Sequence, residues 1–122
     1  MILGVGIDLV RVSRLEGWLE GGIAERFFHP DEVAACRGKG TGAVESLAAR
    51  FGAKEAFGKA LGTGIVGFKL KDIEVYSLSN GQPQLRLHGS ARAAADAAGA
   101  VSIHLSLSHE PEYAAAMVVL EG

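Results

Sequence analysis

The stretch RFGAKEAFGKALGTG, Arg50–Gly64, decides the fold. On a helical wheel Leu47, Phe51, Phe57 and Leu61 share one side, which predicts a helix from about Gly42 to Leu61 laid against a sheet. Lys54 falls in the middle of that apolar arc and Arg50 near its edge. An ammonium so placed must reach out along its stem or meet an anion. Glu55 and Lys59 sit one turn apart on the flank, the spacing of an ordinary surface ion pair worth a few tenths of a kcal/mol. Three basic groups around one acid nevertheless point to an anionic ligand. Gly62-Thr63-Gly64 is first a helix stop, and it also offers backbone amides in a turn.

Outward from this helix, the chain alternates strand and helix signals. Ile2 to Val10 is a β-rich run with Val5, Ile7 and Leu9 on one face and Gly4, Gly6, Asp8 and Val10 on the other. A short helix is expected from about Ser13, carrying Leu15, Trp18 and Leu19, and a second one after Pro30. Asp72–Ser79 and Gln84–His88 form a hairpin around Asn80-Gly81, with Pro83 at the start of its second strand. Ser90–Ala98 is an alanine-rich helix, and Val101–His109 and Tyr113–Leu120 are strands. The expectation is one α/β (α+β) domain over residues 1–122, with a mostly antiparallel sheet packed on a long central helix.

Bulk properties narrow the function. The 122 residues are 48% hydrophobic and 21% charged, with a net charge of -2. That balance suits a packed domain and gives no general attraction to nucleic acid or membrane. No apolar run reaches the ~20 residues that span a bilayer. The first ten residues lack a basic segment and are broken by Asp8, so they read as a strand and not as a secretory signal. The single cysteine, Cys36, forms no internal disulfide and fits a reducing cytoplasm.

Chemistry concentrates at three places. Asp8 is a carboxylate in an apolar strand; it must be paired, hydrated at an edge or bound to a cation, and Gly4 and Gly6 beside it leave room for a ligand or another backbone. Glu55, with Lys59, Lys54 and Arg50, is the second. The third is SIHLSLSH, Ser102–His109, in which Ser108 and His109 are neighbours in a strand and so point apart, against a Ser–His nucleophile pair. One cysteine and four scattered histidines lack the spacing of a zinc set.

Taken in order, GVGIDLVRVSRLE, RFGAKEAFGKALGTGI, NGQP and SLSH resemble the bacterial holo-[acyl-carrier-protein] synthases, the short 4'-phosphopantetheinyl transferases, over nearly the whole chain. The resemblance implies transfer of 4'-phosphopantetheine from coenzyme A to a serine of an apo acyl carrier protein, with release of adenosine 3',5'-bisphosphate, in fatty acid biosynthesis. It implies Mg²⁺ held by Asp8 and Glu55, and Asp8, Glu55 and Lys59 as the catalytic set. It implies coenzyme A contacts from Arg50, Lys54, Lys59, Gly62, Asn80, Pro83 and His109. Arg14 matches a basic position of the family's carrier-docking helix, and Arg11 and Trp18, on the same side, are expected to dock with it; Arg11 stands where many relatives carry an acidic or apolar residue, and Trp18 and Leu15 also fit a core. The short chain is one half-unit, so a cytoplasmic homotrimer with sites between subunits is implied. A transferase with a broader carrier range and a non-catalytic nucleotide-binding subunit are the competing readings. Intact Asp8, Glu55 and Lys59 disfavour the second.

Overall fold

The structure, a computed structural model, describes all 122 residues. Strand β1 (Ile2–Arg11) is followed by a 3₁₀ turn (Val12–Leu15), helices α1 (Ala24–Phe27), α2 (Pro30–Arg37) and α3 (Ala43–Leu61), the hairpin β2 (Ile73–Ser77) and β3 (Pro83–Leu87), helix α4 (Gly89–Ala97), and strands β4 (Ser102–His109) and β5 (Tyr113–Glu121). β5 lies between β1 and β4, and β2 pairs with β3; every pairing is antiparallel. This is the α+β arrangement expected from the sequence, with α3 laid across the sheet.

The face of the sheet that meets α3 is its small-residue face. A methyl group added at Gly4 would overlap the carbonyl oxygen of Ala60, and one at Gly6 that of Ala56. The backbones of β1 and α3 therefore touch, a close approach that only glycine permits. Ala53, Ala56, Phe57 and Ala60 of α3 pack with Ala116, Val118 and Leu120 of β5 and with Ile73 and Val75 of β2. A second cluster joins Leu47 and Phe51 of α3 to Val10, Leu15, Phe28, Val33 and Cys36. Gly6→Ala is expected to cost about 1–3 kcal/mol or more, because the clash is with backbone that cannot rotate away. A urea midpoint equal to wild type would show that the strand and helix are not in contact.

The opposite face carries the bulky residues. Val5, Ile7 and Leu9 of β1 are 54%, 64% and 65% exposed, and Met117 of β5 is 40% exposed. Register places Val5 beside Val119, Ile7 beside Met117 and Leu9 beside Ala115, so these residues form one apolar surface. Contiguous exposed apolar area of this kind marks an interaction face.

The helix expected from Ser13 through Leu19 is absent. The chain makes one 3₁₀ turn and then a run of turns, with Gly17 at φ +82°. That positive φ suits glycine and interrupts helical geometry before Trp18.

Candidate active site

Asp8 projects from the α3-facing side of β1, next to the last turns of α3. Its Oδ1 accepts a hydrogen bond from Lys59 Nζ at 3.0 Å, and the same ammonium donates to the carbonyl of Ile7 at 2.9 Å. Lys59 thus leaves Glu55 and crosses to the strand; the sequence spacing had suggested the i, i+4 pair instead. Glu55 is left with less compensation. Partial burial pushes its carboxyl pKa up, and the negative charge of Asp8 adds to that shift; Lys59 and Arg14 offset part of it. Two neighbouring carboxylates, Glu55 with a raised proton affinity and one helix turn from an ammonium, are a donor set for a hard divalent cation. Such an ion prefers a few carboxylates, waters and phosphate oxygens.

A second group gathers around the first half of α3. Arg50 and Ser46, with Lys39, Pro83, Leu107 and His109, line a cleft of about 530 Å³. Arg50 is 7% exposed. Its Nη1 donates to the hydroxyl and carbonyl of Ser46, and its buried Nε lacks a protein acceptor. A buried guanidinium with an unused donor suits an anionic ligand, since an unpaired buried donor is costly. His109, at the end of β4, is held by Glu45 of α3 through an Nδ1–Oε2 contact of 2.9 Å. Asn80 sits beside the cleft in the hairpin turn, where its Oδ1 accepts from the Gln82 amide at 3.0 Å.

The structure therefore divides the expected site residues in two. Asp8, Glu55 and Lys59 come together at one end of α3; Arg50, Pro83 and His109 come together at the other, and the cleft lining includes none of the first three. From Ser46 to Glu55 the helix rises about 13 Å.

Three of the expected site residues are engaged within the fold. Lys54 is not placed to reach a coenzyme A phosphate: its side chain is 0% exposed, and Nζ is spent on Glu32 Oε1 at 2.7 Å, on the Leu70 carbonyl at 3.0 Å and on the Ile73 carbonyl. Gly62 is the left-handed C-cap of α3, at φ +83°. Its amide donates to Lys59, and those of Thr63 and Gly64 donate to Gly58, so none of the three is free for a phosphate. Trp18 is half-buried in an aromatic cluster, its ring centroid 5.6 Å from Phe51 and 5.7 Å from Phe27. The ring is thus committed to the core. Arg14, in the 3₁₀ turn, and Arg11, at the end of β1, stay exposed and share no α-helix; they lie over the rings of Phe51 and Tyr113 at 5.7 and 5.1 Å.

Sequence reasoning missed Glu45 and Lys39. Glu45 looks like an ordinary acid in a helix's first turn. Lys39 sits in a glycine-rich loop, and its place at the cleft appears only once α2 and α3 are folded together.

Residues 4–118 match the family model described as the 4'-phosphopantetheinyl transferase superfamily. A holo-[acyl-carrier-protein] synthase of Treponema denticola is 55% identical, with all of both chains covered. A holo-[acyl-carrier-protein] synthase structure from Neisseria meningitidis aligns over 100% of each chain with a TM-score of 0.90 at 32% identity. One from Bacillus anthracis, in complex with CoA (3',5'-ADP), aligns over 98% of this chain and 96% of that one, with a TM-score of 0.81 at 38% identity. Family match, full-length identity and shared fold agree: the chain belongs to the 4'-phosphopantetheinyl transferase superfamily, alongside the holo-[acyl-carrier-protein] synthases.

Proposed function

We propose that this enzyme moves 4'-phosphopantetheine from coenzyme A to a serine of an apo acyl carrier protein and releases adenosine 3',5'-bisphosphate, in the cytoplasm and in the service of fatty acid synthesis. The observation that carries the reading is the pairing of Asp8, Glu55 and Lys59 in a chain whose relatives are holo-[acyl-carrier-protein] synthases, one of them solved with CoA. A single buried cysteine with no disulfide fits the location. No helix is long and apolar enough to cross a membrane.

Asp8 and Glu55 would hold Mg²⁺, which when bound draws negative charge from the diphosphate. The serine oxygen of the carrier bonds to the β-phosphorus as the bond to the departing nucleotide phosphate breaks. Lys59 lies where charge builds on the phosphate oxygens, and its contact with Asp8 fixes its ammonium before substrate arrives. A water held beside Asp8 takes the serine proton, because a carboxylate engaged as a strong metal ligand is a poor base. Arg50 and His109 hold the nucleotide end of coenzyme A in the cleft, with Pro83 and Asn80 forming its rim. Arg14, exposed beside Glu55, attracts an acidic carrier.

The division of these residues favours a homotrimer with sites between subunits. One chain's Asp8 end would face a neighbour's cleft, and the apolar face of Val5, Ile7, Leu9 and Met117 would be covered by the other copies. His109 lines both the cleft and a hollow beside Leu9 on that face, so the two surfaces meet. The test incubates the protein with an apo acyl carrier protein, coenzyme A and Mg²⁺, and weighs the carrier by mass spectrometry. A gain of one phosphopantetheine per carrier is expected, together with a light-scattering mass three times that of the chain. An unmodified carrier refutes the activity, and a monomer that transfers normally refutes the shared site.

A further inference from the structure

Away from the Asp8 end of α3, three metal-binding side chains converge where α2, the hairpin and α4 meet. His29 caps α2, Glu74 lies on β2 and His88 directly precedes α4. Their donor atoms all lie within 4.8 Å of one another. His88 Nε2 is 2.9 Å from Glu74 Oε1, and the two imidazole rings stack at 5.1 Å with 17° between their planes. Glu74 is buried, whereas both histidines are partly open to solvent.

We propose that His29, Glu74 and His88 form a binding site for a late first-row divalent cation such as zinc, separate from the Asp8–Glu55 pair. Two imidazoles and one carboxylate suit Zn²⁺, Ni²⁺ or Cu²⁺, while Mg²⁺ selects oxygen ligands. The 2.9 Å separation of His88 Nε2 and Glu74 Oε1 is close to the edge of a coordination tetrahedron built on bonds of about 2.0–2.1 Å, roughly 3.3 Å. The solvent side leaves a fourth position for water.

Occupancy asks two adjustments of the protein. His29 Nδ1 accepts from the Asp31 amide at 3.1 Å, so the neutral ring keeps its proton on Nε2. Ligation turns the ring about χ2, a soft torsion, and surrenders that cap. The other half of the capping box, His29 N–H to Glu32 Oε1 at 3.0 Å, stays in place. Arg86 Nη1 lies 3.4 Å from each oxygen of Glu74, a long contact, and its guanidinium rests on Tyr76 at 4.1 Å. The cation takes the oxygens and leaves Arg86 on the ring. Elsewhere, His104 meets only Glu121 and His109 only Glu45, which gives two donors each and no comparable site.

Such an ion ties α2, the hairpin and α4 together, so it stabilises the fold by linkage and takes no part in transfer. The probe is Zn²⁺ alone, titrated by calorimetry into chelator-cleared full-length protein. Expected are one zinc per chain at micromolar affinity and a higher melting temperature. His88→Gln and His29→Asn should each weaken binding about tenfold or more and leave Mg²⁺-supported transfer unchanged; asparagine keeps a helix cap. His104→Gln should bind zinc as wild type does. X-ray absorption on the zinc-loaded wild type needs no variant and should count two imidazole ligands. Wild-type affinity in both histidine variants, fewer than two imidazoles, or a zinc signal lost with Asp8→Ala overturns the site.

Discussion

Glu55→Gln is expected to lose transfer by roughly 10²–10³-fold or more while its melting temperature holds or rises. Asp8→Ala should show the same loss of turnover. The fold gains nothing from the negative charge on Glu55: burial and the neighbouring Asp8 both oppose it, which is why its carboxyl pKa is raised. An acid whose pKa is raised on folding destabilises the native state above that pKa, and the penalty disappears as pH falls below the unfolded value near 4.3. Glutamine removes the penalty at neutral pH. Single-turnover rates at saturating Mg²⁺, set beside thermal melts across pH, separate the two roles. If Glu55→Gln melts well below wild type and keeps its rate, the carboxylate is structural and the metal reading is wrong.

Lys54→Met should behave in the opposite way, with a stability loss of about 3–5 kcal/mol and chemistry intact in the molecules that remain folded. Removing the ammonium, which lies 5.0 Å from the Phe28 ring centroid, strands the fully buried Glu32 carboxylate. Glu32 also accepts from the His29 amide at 3.0 Å and the Val75 amide at 3.0 Å, so it joins α2, α3 and β2 at one point. Burial lowers the pKa of Lys54, and the Glu32 charge opposes that shift. Adding Glu32→Gln to Lys54→Met should recover part of the loss, because the stranded charge is then gone. Urea denaturation of the two single variants and the double gives the coupling. A Lys54→Met enzyme with wild-type stability and a raised KM for coenzyme A would instead return this lysine to the substrate site.

Lys54 and Glu55 are adjacent in sequence, one within the apolar arc and the other on its flank, and they belong to different problems. The helical wheel gives the direction of each side chain but not what waits for it. The partner of Lys54 is 22 residues away on another helix. The partner of Lys59 is 51 residues away on a strand. Asp8 was legible because a carboxylate in an apolar strand has few resting places. The strands and α3 were legible from their periodicity, and the hairpin from Asn80-Gly81. The segment after β1 was not: Ser13–Leu19 has helical spacing, but Gly17 takes a left-handed conformation and the aromatic cluster draws Trp18 inward. Which side of β1 meets α3 was also hidden. Bulky Val5, Ile7 and Leu9 look like the core, but backbone contact with α3 selects the glycine side.

That contact has a consequence for how the enzyme tolerates change. The gauge between strand and helix is fixed at Gly4 and Gly6 by main chain meeting main chain. Elsewhere in a protein interior, the gap between two elements follows the volumes of the side chains that fill it and drifts when those are exchanged. Here there is no filler to exchange. Substitutions that enlarge or shrink the distant parts of the interior, around Leu47 or Ile73, can weaken the molecule without respacing Asp8 and Glu55. A library of such variants should therefore divide sharply, into chains that fold and turn over at the parental rate and chains that do not fold at all.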